Sequence, residues 1–331
     1  MEQLISYLAM IVAFLATVIL TKYWIRAARS AGLVGKDMNK MKRPEIPEAG
    51  GVAVIMGFVF AVLVYVFFNT FFLSTTVNFI SVFALISSVL LAGFLGFIDD
   101  ILGWKIGIKQ WQKPILTLPA AIPLVVINAG VSRMLVPFLG SVDFGIIYPL
   151  VLIPLGVMGA ANGFNFIAGH NSLEAGLGAI ILATLGIAVL SRGEFWLFFI
   201  SFSAVAALLG FLVFNRYPAR VFPGDSLTYA IGTMIAAVAI LGNAERVAII
   251  LFIPYFIEFF LKARSRMKAE SFGVPDREGG LSPPTKRICS LTHVAMLLPK
   301  KMFGRKPREY DVALLLFLLE LLFVIIVLLM L

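Results

Sequence analysis

The chain is written in long apolar blocks separated by short polar ones. Ten blocks approach the roughly 20 residues that a bilayer-crossing helix needs; they lie at about 3–22, 50–69, 79–98, 114–130, 146–164, 176–191, 195–214, 226–242, 246–264 and 311–330. This pattern predicts an all-α polytopic membrane protein with ten transmembrane helices in a single domain over 1–331. The fourth block holds Pro119 and Pro123, whose rings remove backbone donors and predict a kink. The ninth carries Glu258 shortly before LKARSRMK, which predicts a bent helix that leaves an apolar gap for a lipid tail. The first block has neither a basic segment before it nor a small-residue cleavage site after it. It reads as a retained helix and not as a signal peptide.

Composition agrees with this picture. The residues are 60% hydrophobic and 14% charged, with a mean hydropathy of +0.99, whereas a soluble domain carries about 25% charged residues. Cys289 is the one cysteine, so no disulfide forms within the chain.

Charge then orients the blocks. Of the 27 Lys and Arg, all but Arg133, Arg192 and Arg246 fall in or beside 23–49, 99–113, 165–175, 215–225 and 265–310. Such enrichment marks cytoplasmic loops. It predicts both termini on the outer face, 265–310 as the last cytoplasmic loop, and a plasma-membrane protein whose active site is cytoplasmic. The net charge of +9 is thus gathered on one membrane face, where it attracts anionic lipid. No nucleic-acid partner is expected, and a homodimer is compatible with the pattern.

The remaining polar residues gather in four cytoplasmic stretches: KDMNKMKRPEIPEAGG (36–51), IDDILGWKIGIK (98–109), NGFNFIAGHNSLEAG (162–176) and NRYPARVFPGDS (215–226). Asp99 and Asp100 end the third block. A helix C-terminus opposes carboxylates and adjacent like charges repel, so a metal ion or a lysine is expected beside them. Asn162 and Asn165 share a helix face, and an unpaired amide in hydrocarbon costs several kcal/mol. Asp225 starts the eighth block, as an N-cap would. Asp225, Asn165, Asp99 and Asp100 are oxygen donors at one membrane level. They suit Mg²⁺, with Mn²⁺ as an alternative, since such ions take one or two carboxylates plus phosphates and water. No Cys/His cluster exists for zinc. Lys109, Arg216, Arg220 and Arg277 supply the cations of a phosphate site, and the absence of a Walker glycine loop excludes a P-loop ATPase.

The motifs NKMKRPEIPEAGG, GFIDDILGWKIGIKQWQK, NGFNFIAGHNSLEAG and NRYPARVFPGDS resemble those of the polyprenyl-phosphate N-acetylhexosamine-1-phosphate transferases. The likeness covers about 35–295 and is nearest to the dolichol-linked branch, eukaryotic or archaeal. The resemblance implies transfer of GlcNAc-1-phosphate from UDP-GlcNAc to a polyprenyl phosphate, dolichyl phosphate in that branch, with release of UMP. It implies that Asp225 and Asn165 bind Mg²⁺, that Asp99 and Asp100 lie beside the phosphates, and that Lys109 contacts them. Asn171 would read uracil with Phe222 stacked on the ring, and Glu48 and Asn162 would line the sugar and phosphate region. Asp37, Lys40, Glu174 and Arg277 complete the implied substrate-binding set. The last cytoplasmic loop departs from the family: it holds Arg277 in PDRE and His293 near its end, without the histidine-rich motif of the bacterial cell-wall branch. Another UDP-N-acetylhexosamine, or undecaprenyl phosphate as acceptor, is the alternative within the family.

Two other classes fit less well. A secondary transporter would place its polar residues near the midplane and carry an inverted repeat. A lipid-binding scaffold would leave the Asp and Asn residues without a role.

Overall fold

The computed structural model describes residues 2–73, 78–106, 109, 111–136 and 140–331. In chain order these form α1 (Glu2–Ser30), a hairpin of β1 (Val34–Lys36) and β2 (Glu45–Pro47), α2 (Gly51–Phe68) and α3 (Phe79–Ile106). Next come α4 (Gln112–Thr117), a 3₁₀ turn over Leu118–Ala121, α5 (Ile122–Val126), and a hairpin of β3 (Arg133–Val136) and β4 (Gly140–Asp143). Then follow α6 (Ile153–Phe164), α7 (Leu173–Leu190), α8 (Phe195–Asn215), α9 (Gly224–Leu241), α10 (Glu245–Leu251) and α11 (Ile253–Ala263). A last short hairpin of β5 (Val274–Pro275) and β6 (Leu281–Ser282) leads to α12 (Leu291–Phe303) and α13 (Glu309–Leu328).

Among the described residues, seven helices are long and apolar enough to cross a membrane: Ile5–Ser30, Gly51–Phe72, Phe79–Leu102, Leu173–Leu190, Phe195–Asn215, Gly224–Leu241 and Glu309–Leu328. The other three predicted blocks are shorter or broken. The fourth is split into α4, the 3₁₀ turn and α5, with Pro119 and Pro123 at the starts of the later pieces. The fifth begins as a π-helical turn over Tyr148–Leu152 before α6. The ninth breaks at Phe252, and Pro254 sits in the first turn of α11, where its missing N–H costs least. The interruption falls within the block for which a bend was expected.

The helical class holds, with three short two-stranded antiparallel hairpins in the connections among the described residues. One expectation needs correction: the third helix does not end on its carboxylates. It runs on to Ile106, so Asp99 and Asp100 lie inside α3 and not at its C-terminus.

The core is organised around α9. Every residue of α9 from Ser226 to Ile240 is buried, and α2, α3, α6 and α7 all pack on it. Its sequence, GDSLTYAIGTMIAAVAIL, is rich in small residues, which let helix backbones approach closely where lipid supplies no hydrophobic drive for association. Gly96 shows the consequence: a Cβ there would run into the carbonyl of Asp225. That contact holds the α9 N-terminus against the middle of α3. By contrast α1 and α13 are mostly exposed on their outer faces, as lipid-facing helices are.

Candidate active site

The first turn of α9 is the centre of the site. Its free N–H groups need acceptors, and these come from another helix. The Asp225 N–H donates to Asp100 Oδ1 (2.7 Å) and the Ser226 N–H to Asp100 Oδ2 (3.1 Å). Asp100 thus caps α9 from α3, so the dipole argument applies to the neighbouring helix: the carboxylate sits at an N-terminus after all. Gly224 makes this approach feasible. Its φ is +73°, and a Cβ on it would meet the Asp100 carboxylate. Asp225 is not the N-cap that the sequence suggests; Pro223 holds that position, with no side-chain cap. The Asp225 side chain therefore remains available to the cleft.

Lys113, from α4, supplies the compensating cation. Its Nζ lies 2.6 Å from Asp99 Oδ2 and 2.8 Å from Asp225 Oδ2, and the Tyr229 hydroxyl lies 3.5 Å from Asp99 Oδ2. Lys109 stands apart from this cluster. It is exposed, and among the described residues only its backbone has hydrogen bonds, with Gln112 and the Lys113 N–H. The side chains of Trp104 and Lys105, and residues 107, 108 and 110, lie outside the described residues.

A cavity of about 230 Å³ opens beside the cluster, lined by Asp37, Glu48, Asn165, Gly169, His170, Glu174, Phe222, Gly224, Asp225, Thr228 and Phe272 among others. Six of the predicted site residues, Asp37, Glu48, Asn165, Glu174, Phe222 and Asp225, meet here. The 47–51 segment is pinned to the α9 entry by backbone bonds: Phe222 N to Pro47 O, Gly50 N to Phe222 O and Gly51 N to Pro223 O. Glu48 and Phe222 therefore face one space although far apart in sequence. Burial pushes the Glu48 carboxyl above its usual range. Glu174 Oε1 accepts the Gly169 N–H (2.8 Å), while its buried Oε2 has no partner among the described residues.

Asn165 caps the C-terminus of α6, and its Oδ1 accepts the Thr228 hydroxyl (3.1 Å), leaving a second lone pair. Asn165 and Asp225 are among the oxygen donors that line the cavity. Among the described residues, no three His, Cys, Asp or Glu side chains converge as a metal cage. This donor set could hold a hard ion that draws its remaining ligands from a substrate and water.

The remaining predicted residues take other positions. Asn162 donates to Thr117 Oγ1 (2.7 Å) and Met158 O (2.8 Å), which ties α6 to α4. Asn171 is buried, with its Oδ1 accepting from Ala219 N (2.8 Å) and Lys40 Nζ (3.1 Å). Two donors on one oxygen orient the amide and leave Nδ2 as the group without a protein partner among the described residues. Lys40 also pairs with Asp37 and with Glu309 Oε2 (3.2 Å), and stands 4.9 Å from the Tyr217 ring centroid. Burial depresses the lysine's pKa, but Glu309 and Asp37 more than offset this and raise it. Arg277 is exposed in the turn between β5 and β6.

Sequence reasoning missed three members of this network. Glu309, 3% exposed at the start of α13, accepts the Asn171 N–H (2.8 Å) as well as Lys40. Asn39 donates to Gly169 O (2.7 Å) and accepts from Gly273 N (2.9 Å), which fastens the segment between α11 and α12 to the cleft. Lys113 is the third, and its position at the head of an apolar block, six residues before Pro119, is the one signal that singles it out. His293 proves to be a folding residue: Nδ1 accepts Cys289 N–H (3.4 Å) and Nε2 faces Glu270 O (2.9 Å).

A second cavity, apolar and of about 300 Å³, lies between α6, α9, α10 and α11, with Gly156, Gly159, Ala160, Ile235, Phe252 and Phe256 in its wall.

The chain is similar to several known proteins. Residues 82–243 match the family model described as Glycosyl transferase family 4. A Sulfolobus acidocaldarius protein, provisionally named a UDP-N-acetylglucosamine–dolichyl-phosphate N-acetylglucosaminephosphotransferase, is 37% identical over 96% of this chain and 94% of its own length. A Halalkalibacterium halodurans phospho-N-acetylmuramoyl-pentapeptide-transferase is 34% identical, over 78% and 81% respectively. The Dictyostelium discoideum UDP-N-acetylglucosamine–dolichyl-phosphate N-acetylglucosaminephosphotransferase is 31% identical, over 78% and 69%.

Proposed function

The chain belongs to glycosyl transferase family 4, and from that premise we propose that it transfers GlcNAc-1-phosphate from UDP-GlcNAc to dolichyl phosphate, releasing UMP. The observation that carries the reading is the cleft itself: Asp225, Asn165, Glu48, Glu174 and Phe222 line one cavity beside the Asp99–Lys113–Asp225 cluster. The likeness to the dolichol-linked archaeal protein runs over nearly the whole chain, while that to the cell-wall enzyme covers 78% of it.

In this reading the ten blocks all cross or enter the membrane, the basic loops are cytoplasmic, and the cleft opens to the cytoplasm of the cell. Asp225 and Asn165 hold Mg²⁺, which when bound neutralises the diphosphate of the donor. Phe222 offers an aromatic face for uracil, and Asn171 Nδ2 a donor for one of its carbonyls. The lipid tail lies in the apolar cavity between α6 and α11, whose wall positions Gly156 and Gly159 leave open space.

The acceptor phosphate needs no general base, because a phosphate monoester has a second pKa of about 6 and is already dianionic near neutrality. An acceptor oxygen attacks the sugar-bearing phosphorus, the bond to the bridging oxygen breaks, and UMP leaves with that oxygen. The barrier is chiefly the approach of anions, so positioning and charge neutralisation supply most of the catalysis. Lys113 and Lys40 contribute positive charge, while Asp100 aims the first turn of α9.

Purified protein should release UMP from UDP-GlcNAc only when dolichyl phosphate and a divalent ion are both present. A panel of UDP-sugars tests the donor, with UDP-N-acetylmuramoyl-pentapeptide included because of the bacterial relative. UMP release from that donor in preference to UDP-GlcNAc would overturn the reading.

A further inference from the structure

Lys113 reaches the same two carboxylates that border the proposed ion site. Its ammonium is 2.6 Å from Asp99 Oδ2 and 2.8 Å from Asp225 Oδ2, with the side chain 17% exposed. Asp100 cannot take its place as a carboxylate partner, because both its oxygens are committed to the α9 N–H groups. A divalent ion on Asp225 and an ammonium on the same carboxylate group repel strongly at such distances. The two cations are therefore alternatives on Asp225.

We infer that Lys113 is an exchange residue: it competes with the divalent ion for Asp225 and, once displaced, pairs with the phosphate that arrives with the nucleotide. The inference rests on the reading of Asp225 as the ion's ligand. Its physical content is a coupling between two ligands. The ion alone must pull an ammonium off its partners, whereas ion and diphosphate together give that ammonium a new anion. Each ligand then strengthens the other, and by linkage the two effects are equal. The lysine has room to move because its flexible stem leaves from a helix of six residues, Gln112–Thr117, and carries three rotatable donors. Lys109, exposed and off the carboxylates, does not meet these conditions.

The test measures Mn²⁺ binding by electron paramagnetic resonance in detergent, with and without UDP-GlcNAc, for wild type, Lys113→Met and Lys113→Arg. Lys113→Met should bind Mn²⁺ alone about 10-fold more tightly than wild type, and the tightening by UDP-GlcNAc should shrink by a similar factor. Lys113→Arg keeps the competing charge and should stay near wild type. Amine-labelling of the unmutated protein, read by mass spectrometry at Lys113, gives a measure that no folding defect can spoil. Mn²⁺ alone should speed the labelling, and Mn²⁺ with UDP-GlcNAc should slow it. Unchanged or weaker Mn²⁺ binding in Lys113→Met, or labelling indifferent to Mn²⁺, overturns the inference. Asp225→Asn separates this from the parent reading: if that variant binds Mn²⁺ as wild type does, Asp225 is not the ligand and the site assignment itself fails.

Discussion

The two carboxylates that meet at the α9 N-terminus, Asp100 and Asp225, have different work to do. Asp100 accepts two backbone N–H groups, and an asparagine there would turn an NH₂ toward one of them. An unsatisfied buried donor costs about 1–3 kcal/mol. Asp100→Asn should therefore lower both Tm and turnover, the latter by roughly tenfold or more, and added Mg²⁺ should restore neither. Asp225→Asn leaves the cap intact; its turnover should recover in part as Mg²⁺ is raised. Turnover measured across an Mg²⁺ titration distinguishes the two, and equal rescue would mean that both bind the ion. His170 offers a pH test. Its Nδ1 faces the Asn39 amide donor (3.4 Å) and its Nε2 the Ser271 carbonyl (3.1 Å), so the neutral Nε2–H form satisfies both, and burial lowers its pKa below 6.5. The unfolded imidazole then binds more protons, so His170 contributes stability above about 6.5 that is lost as pH falls through that value. Tm should drop between about pH 7.5 and pH 5.5, and His170→Gln, which keeps a donor and an acceptor, should flatten that drop.

At the scale of elements, the breaks in the predicted spans coincide with the cavities. Pro254 interrupts the ninth helix, and α11 then turns Phe256 toward the apolar cavity while burying Tyr255 and Glu258. Glycines of α6 complete the wall, and a Cβ added at Gly156 or Gly159 would meet nothing within 4 Å. Gly159→Leu should fill the cavity without straining the helix. The expected result is a rise in KM for dolichyl phosphate of about tenfold or more, a smaller rise for a short-chain acceptor, and unchanged UMP affinity, since apolar contact area governs the tail alone. Equal effects on long and short acceptors would place the tail elsewhere. The 265–310 segment is likewise an element of the site and not a free loop, because Asn39 and Glu309 join it to the 169–171 turn.

Across the whole molecule, the charge asymmetry predicts which face is which. Cys289 is the single cysteine and is buried, so a Cys289→Ser background permits single-cysteine mapping. Ser141, in the β3–β4 hairpin, and Thr285, in the last basic segment, are both exposed. In intact cells a membrane-impermeant maleimide should label Ser141→Cys and not Thr285→Cys, and lysis should make both reactive. The reverse pattern would invert the topology and put the cleft on the outer face.

The membrane character and the position of most helices were legible in the chain because each is a local sum of apolar residues over about 20 positions. The four polar stretches were legible for a related reason: acids and amides beside hydrocarbon are costly unless they have partners, and six of the named residues do line one cavity. What the sequence could not assign was partnership. Lys113 in place of Lys109 on Asp99, Asp100 as a cap for a helix 125 positions away, and Glu309 on Asn171 across 138 positions depend on which helices touch and at what height. That is decided by close packing of small residues such as Gly96 and Gly224 around α9, a contact between distant segments that leaves no periodic trace in either one. The extension of α3 past its carboxylates has the same origin: the acceptor-hungry N-terminus of α9 offsets the charge that, read along one strand of sequence, ought to have ended the helix.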